Sequence, residues 1–420
     1  MLSRQILRIE PPAIMLLTAL AAAQAWPFFA AEPSFAADKS VTVAIAMPIT
    51  GADAEAAVRM EDGALLAIDE ANAKGGIAGY KIHILLLDNG TTTAGQYDPA
   101  QAATNARKMI SDPTVVGAIG PEMSGSGKAM APILSTGDLA TVTPSSTNPD
   151  ITDPKFAAQY RPAGKPIYFR TITTDAYQGP DMANYLAAVH KMKSVYVLDD
   201  SGAYGVGLAD AFAAQAKKDG VTVLGHDQLD PKEADYTTIL TKLKALHPDA
   251  LYYGGVAQAG VKLVKQAYDI LPGVIKAGGG LFSPDVLTGA GFPAFQGWYV
   301  SMGAPNVLGD PKIQPWTKEF VAKFGKGPDD YSILAYDAAS VVLDAIERVA
   351  DAGKPVDRQN VRDAIEATRL KTLQGVVTFD ANGDLDNHGV SIFQVVKNAK
   401  YPLDDMLHQY TYIGVAPASS

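Results

Sequence analysis

The sequence predicts an α/β protein built as two doubly wound lobes around mainly parallel sheets. Three observations carry that expectation. Short apolar runs alternate with helical stretches, joined by brief Gly, Pro and Asp connections, and such alternation covers a parallel sheet on both faces. A polar stretch over 148–166 with Pro149, Pro154, Pro162 and Pro166 interrupts the rhythm, which restarts as a second block. Two hydroxyl-rich loops, Gly120-Pro121-Glu122-Met123-Ser124-Gly125-Ser126 and Thr143-Pro144-Ser145-Ser146-Thr147, each follow an apolar run. Open α/β sheets bind small ligands at such strand ends.

In chain order, Val41 to Met47 reads as the first strand. A helix with Ala64, Leu65, Ala67, Ile68 and Ala71 follows and stops at Lys74-Gly75-Gly76, a C-terminal signal. Tyr80 to Asp88 is the next strand, then a helix over 97–111 and the strand Val115 to Ile119. The first hydroxyl loop enters a helical stretch from Lys128 to Leu134, whose N-terminus favours an anion. Ala140 to Val142 leads into the second loop. The second block sets strands at Ile167 to Ile172, Val195 to Leu198, Thr222 to Leu224 and Leu251 to Tyr253. Helices are expected over 178–190, 204–218 and 237–246, and a long one from Ile333 to Ala352. Closing strands fall near Val376, at Val390 to Val396 and at Tyr410 to Ile413.

The 420 residues suit two domains and a leader. Arg4 and Arg8 precede an apolar stretch from Ala13 to Ala23, too short to span a bilayer. Small-residue cleavage patterns follow at Ala23-Gln24-Ala25 and Ser34-Phe35-Ala36. The second leaves a short tail before the first strand, so residues 1–36 are expected to be a cleaved signal peptide; an uncleaved anchor is the alternative. With no further long apolar segment, a soluble periplasmic protein is expected. There is no cysteine, hence neither a disulfide nor a lipid-bearing leader cysteine. A net charge of −10 without a basic cluster excludes nucleic acid as an expected partner.

Catalytic and cofactor signatures are missing. No two of the six histidines have metal-binding spacing, and no serine sits in a GxSxG elbow. Gly125-Ser126-Gly127-Lys128 hints at a phosphate loop, yet Glu122 stands where its first glycine belongs and Ala129 where a hydroxyl should bind magnesium. Asp380-Ala381-Asn382-Gly383-Asp384-Leu385-Asp386 resembles a calcium loop but has Leu385 at the sixth position and Ser391 at the twelfth. A turn between strands is the simpler reading. After the first strand, Pro48-Ile49-Thr50-Gly51-Ala52 carries no dinucleotide fingerprint. No metal, cofactor or reaction is expected.

A series of segments carries a resemblance: Pro48-Ile49-Thr50-Gly51, Asn72-Ala73-Lys74-Gly75-Gly76-Ile77, Thr143 to Thr147, Phe169-Arg170-Thr171, Tyr177-Gln178-Gly179-Pro180, Tyr204-Gly205-Val206-Gly207 and Tyr252-Tyr253-Gly254-Gly255. In this order the chain resembles the type I periplasmic binding proteins of the branched-chain amino acid group. The resemblance implies two lobes, 37–172 with 302–386 and 173–301 with 387–420. Three hinge crossovers would join them near Thr171 to Asp175, Tyr299 to Met302 and Asp384 to His388. A small solute closes such lobes, and the liganded monomer meets the inner-membrane permease of an ABC importer.

The same resemblance assigns roles. Ser124 and Thr147 would give hydroxyl and N–H donors to a ligand carboxylate, and Ser145 a carbonyl, with Glu122, Met123 and Ser146 beside them. Ser124 and Thr147 would serve equally as helix caps. Tyr204 would cover the ligand from the second lobe, and Tyr331 and Phe282 would line its pocket, although aromatic residues there also suit a plain core. Departures accompany these matches. The family's second-lobe acid for a ligand ammonium is absent from Gly278-Gly279-Gly280-Leu281, and Val256 and Ala56 stand where aromatic residues are expected. Glu122 or Asp285 could substitute, or the ligand lacks an ammonium. The ligand is therefore read as an apolar amino acid or an amine-free aromatic or aliphatic carboxylate. A periplasmic sensor of the same fold is the alternative, and a hydrolase using Ser124 or Ser126 the third class.

Overall fold

A computed structural model describes residues 39–417; the expected leader at 1–36 lies outside the described residues. The first block runs β1 (Ser40–Met47), α1 (Ala54–Ala73), β2 (Lys81–Asp88), a small hairpin of β3 (Gly90–Thr91) and β4 (Gln96–Tyr97), α2 (Pro99–Ser111), β5 (Val115–Ile119), α3 (Ser124–Thr136), β6 (Thr141–Thr143), α4 (Ala157–Tyr160) and β7 (Tyr168–Arg170). The second runs α5 (Asp175–His190), β8 (Ser194–Asp199), α6 (Ala203–Lys218), β9 (Thr222–Gln228), α7 (Thr237–Leu246), β10 (Ala250–Gly254), α8 (Ala257–Ile270), β11 (Ile275–Gly279), α9 (Pro284–Ala290) and β12 (Tyr299–Met302). The chain then forms α10 (Gln314–Phe324), α11 (Asp330–Asp351), α12 (Arg358–Glu366), β13 (Arg369–Thr372), β14 (Gly375–Thr378), β15 (Ser391–Val395), α13 (Met406–Gln409) and β16 (Tyr410–Val415).

Two large sheets organise these elements. One has the order β2-β1-β5-β6-β7 with every pairing parallel. The other has the order β16-β15-β12-β11-β10-β8-β9. Its strands β8 to β12 are parallel, whereas β15 pairs antiparallel with both β12 and β16. The sheets are mainly parallel as expected, with an antiparallel edge where the chain re-enters the second sheet and turns back through the short α13.

Strand alternation explains the double covering. In β1, Val43 and Ile45 face a core shared with α1 and α11, while Ala44 and Ala46 face α2 and α3. In β10, Leu251 and Tyr253 join the core under α8, and Ala250 and Tyr252 the core under α5 and α6. The chain passes from the first sheet to the second between Arg170 and Asp175. It leaves again after Met302, since α11 packs on α1, and returns between Leu385, in the first-sheet core, and Ser391. The 380–386 segment is a turn: Asp380 Oδ1 accepts the Asn382 and Asp384 N–H groups at 2.8 and 2.9 Å.

Candidate functional site

The two hydroxyl loops lie side by side because their strands are neighbours. β5 ends at Ile119, and Gly120 turns the chain with φ +101°; a Cβ there would stand 2.4 Å from the Ala46 carbonyl. The second loop then ties itself to the first. Thr141 and Thr143 hydroxyls donate to the Gly120 and Pro121 carbonyls, and Ser145 Oγ donates to the Glu122 carbonyl at 3.0 Å. Ser124 Oγ accepts the Asn148 N–H at 3.1 Å. These bonds use up first-loop carbonyls. The α3 N-terminus, which starts at Ser124, retains first-turn N–H groups that have no intrahelical acceptor.

Arg170 fixes the second loop from behind. Its side chain is fully buried; Nε donates to the Ser146 carbonyl at 2.8 Å and an Nη to the Asn148 carbonyl at 2.7 Å. The other Nη reaches Thr152 Oγ1 at 2.7 Å and pairs with Asp384. Carbonyls that would repel an anion are thus held by a guanidinium. The sequence drew attention to Phe169-Arg170-Thr171 only as a resemblance; its burial and four-way donation come from the fold.

The loops open onto a cavity between the two sheets, lined from the first by Asp53, Ala56, Met60, Glu122, Met123, Ser124, Ser145 and Thr147. From the other side come Gln178, Tyr204, Val256, Gly280, Phe282 and Ser283, with Tyr331 of α11 completing the wall. The cavity volume is about 550 Å³. This is the size of cleft that holds a small solute. Of the residues singled out from the sequence, Glu122, Met123, Ser124, Ser145, Thr147, Tyr204, Val256, Gly280, Phe282 and Tyr331 meet here.

Ser146 does not. As the residue between Ser145 and Thr147 it points the other way: a Cβ on Gly127 would lie 2.9 Å from its Oγ and 2.3 Å from the Tyr168 hydroxyl. Asp285 is also outside the lining. Its two carboxylate oxygens accept the Glu55 and Ala56 N–H groups at 3.1 and 2.9 Å, so it caps α1 rather than facing a ligand. Asp53, Met60, Gln178 and Ser283 were not singled out. The signal for Asp53 was its place after β1, which ends beside β5 and brings a third loop to the same crevice.

Packing explains why Gly278 to Gly280 carry no acid. A Cβ would stand 2.6 Å from the Tyr253 carbonyl at Gly278 and 2.4 Å from Leu208 Cδ2 at Gly279. At Gly280, with φ +75°, it would stand 2.2 Å from the Gly255 carbonyl. The backbone there is pressed against Tyr204, whose hydroxyl lies 2.9 Å from a Cβ built on Gly279.

Electrostatically the cavity is acidic. Burial pushes the Glu122 carboxyl well above its usual range, with Asp53, Asp285 and Asp329 adding to the effect. Burial raises Asp53 to about 7 although its Oδ1 accepts the Ala257 N–H at 3.0 Å. Burial also raises the Tyr204 and Tyr331 phenols. Among the described residues no group of three or more His, Cys, Asp or Glu is arranged for a metal, and no helix is long and apolar enough to cross a membrane.

The family model described as periplasmic binding protein matches residues 40–400. The chain belongs to the periplasmic binding protein family. This is a family of solute-binding proteins, not of enzymes, with the two-lobe type I fold seen here. The Leu/Ile/Val-binding protein BraC3 of Rhizobium johnstonii is 29% identical over 359 residues, covering 85% of this chain and 92% of its own. The Leu/Ile/Val-binding protein homolog 3 of Brucella melitensis is 30% identical over 370 residues, covering 87% and 95%. Among solved structures, the leucine binding protein LivK of Thermotoga maritima superposes with a TM-score of 0.76 at 26% identity, over 90% of this chain and 98% of its own. A Rhodopseudomonas palustris solute binding protein with benzoate gives 0.74 at 18% identity, over 91% and 98%, a likeness of fold.

Proposed function

We propose that this chain is the periplasmic solute-binding component of an ABC importer, exported by a signal peptide over 1–36 and working as a monomer. Its lobes, 37–172 with 302–386 and 173–301 with 387–420, close on a small solute with a carboxylate head and an apolar body. The observation that carries this reading is the convergence of Ser124, Thr147 and the α3 N-terminus on one buried cavity, backed by Arg170. Hydroxyls and free N–H groups in a dry site bind an anionic head without a charged partner. Met60, Met123, Val256 and Phe282 supply the apolar wall.

The closed lobes would be what an inner-membrane permease recognises. Relatives named for leucine, isoleucine and valine, and a fold neighbour holding benzoate, support the two ligand classes, apolar amino acids and aromatic or aliphatic carboxylates. The relatives' names describe solute binding and give no support to a signalling role. Thermal unfolding of ligand-free protein against both classes tests the reading. A true ligand at a hundredfold excess over Kd stabilises the folded state by about 2.7 kcal/mol, a clear rise in midpoint. No rise with any member would overturn it.

A further inference from the structure

We infer that the segment 398–405 is a strap by which the second lobe latches onto the first, through Asp404 and Arg59, and that this latch sets how long a solute is held without choosing which solute is held. This rests on the lobe-closure reading above and adds to it a pair of residues outside the solute cavity.

The strap joins β15 to α13 at the antiparallel edge of the second sheet. Its shape is fixed from its own lobe. Gln409 is 2% exposed; its Oε1 accepts the Asn398 N–H at 2.9 Å, and its Nε2 donates to the Asn398 and Pro402 carbonyls, each at 3.0 Å. His408 stacks on Tyr401 with ring centroids 3.4 Å apart, and its Nδ1 lies 2.9 Å from Asp405 Oδ1. A loop whose two ends are held by one buried amide, and which is packed by its own side chains, meets a partner already ordered.

Arg59 of α1, in the first lobe, is that partner. Its Nε donates to Glu55 Oε1 at 3.1 Å, within its own helix. Both Nη groups reach the strap: one donates to Asp404 Oδ2 at 2.8 Å and the other to the Asp404 carbonyl at 3.2 Å. The Arg59 side chain is 1% exposed and that of Asp404 42%, so the cation is the buried member. Forked, charge-assisted bonds of this kind are strong and fixed in direction, and a buried guanidinium that loses its acid is costly. Lys326, the neighbouring cation of the first lobe, pairs with Glu55 and Asp62 at 3.8 and 3.4 Å. Arg59 and Asp404 border a separate groove between the lobes, with Val321 on one wall and Leu407 on the other, and neither lines the solute cavity.

Solute enters the open form, in which Arg59 and Asp404 are apart, so the latch leaves association untouched. Release needs the lobes to part and the latch to break. Because neither residue faces the cavity, every solute is retained by the same factor.

The test is stopped-flow association and release of L-leucine, L-phenylalanine, benzoate and 4-methylpentanoate, followed by tryptophan fluorescence. Asp404→Ala, Arg59→Gln and Gln409→Leu are each expected to speed release by about tenfold or more for every solute that binds. Association stays within about twofold, and so do the ratios of affinity between solutes. The double variant Asp404→Ala with Arg59→Gln releases no faster than the faster single one, since both residues serve one contact. Asp404→Ala, at a half-exposed position, keeps the ligand-free unfolding midpoint of wild type. Release unchanged in both Asp404→Ala and Arg59→Gln would overturn the latch and leave the solute reading standing, as would altered affinity ratios without faster release. Binding by none of the four overturns the solute reading. The latch is then decided by pulsed dipolar distances between spin labels at Lys217→Cys and Lys354→Cys, exposed on the two lobes of a chain without cysteine. A closed population of ligand-free protein that is lost on Asp404→Ala upholds the latch, and equal distributions overturn it.

Discussion

Asp285 Oδ2 accepts the Ala56 N–H at 2.9 Å, joining the start of α9 to the start of α1 across the cleft. The reverse bond runs from the Ala257 N–H of α8 to Asp53 Oδ1 at 3.0 Å. Each side thus caps the first turn of a helix on the other, and Asn148 Nδ2 adds a bond to the Ala203 carbonyl at 2.8 Å. These bonds exist only while the lobes are together, so they bias the molecule toward closure.

Removing one cap weakens closure without touching the solute. Losing a carboxylate cap costs about 1 kcal/mol, so Asp285→Ala is expected to weaken solute affinity roughly fivefold. Calorimetry measures the affinity, and small-angle scattering the share of open molecules. Affinity equal to wild type would show that the cap does not favour the closed form.

The hydroxyls on the carboxylate side carry a larger share. A hydrogen bond to a charged group contributes about 1.5–3 kcal/mol, so Thr147→Val is expected to weaken binding about tenfold or more. Ser124→Ala does the same and also strips the Asn148 N–H of its acceptor. Calorimetric Kd values check both, and losses under twofold would remove these residues from the site.

Arg170 links binding to stability. Truncating one partner of a buried charge network costs about 3–5 kcal/mol, so Arg170→Met is expected to lower the urea midpoint sharply and loosen the 143–148 loop. Arg170→Lys restores little, because an ammonium cannot serve the Ser146 and Asn148 carbonyls together with Asp384. Equilibrium urea unfolding decides the size of the effect.

Buried carboxyls set the pH dependence. Burial raises Asp175 and Asp330 to about 7, the former against opposing help from Thr147 and Arg170, the latter against the Leu308 and Val307 N–H groups. Between an unfolded value near 3.8 and about 7 the folded protein holds these protons and the unfolded chain does not. Unfolding free energy therefore falls as pH rises through this window. Thermal midpoints of ligand-free protein are expected to be higher at pH 5 than at pH 8; a flat or rising profile would contradict this.

Gly280 tests the tight approach of the second lobe. With φ +75° and a Cβ only 2.2 Å from the Gly255 carbonyl, Gly280→Ala must displace backbone beside Tyr204. A loss of stability of about 1–3 kcal/mol is expected, together with loss of solute binding, read by thermal unfolding with and without ligand.

Much of this was legible in the sequence where local chemistry and fold agree. Val115 to Ile119 is wholly apolar between turn residues and forms a strand with those bounds. Elsewhere tertiary context decided. α1 begins at Ala54, well before its apolar set, because Ala56, Ala57 and Met60 join the core there while Arg59 and Asp62 are held in ion pairs. β9 runs on to Gln228 past its apolar start, as an edge strand whose His226 pairs with Asp199 of β8. α8, with Ala259, Leu263, Val264 and Ala267 recurring at helical spacing, carries a helical period that the expected elements leave out. At the site, the hydroxyl loops could be read because strand ends of an open α/β sheet are where ligands bind, and one loop leads into a helix N-terminus suited to an anion. Asp53 and Gln178 could not, since a single acid or amide becomes informative only when burial and a cavity are known.

The most direct test of the account is a crystal structure of the protein with the tightest-binding of the apolar amino acids and amine-free carboxylates. The account predicts the solute enclosed between the two sheets, with its carboxylate bonded to Ser124 and Thr147. A solute bound outside this cavity, or bound there with its carboxylate directed away from Ser124 and Thr147, would contradict it.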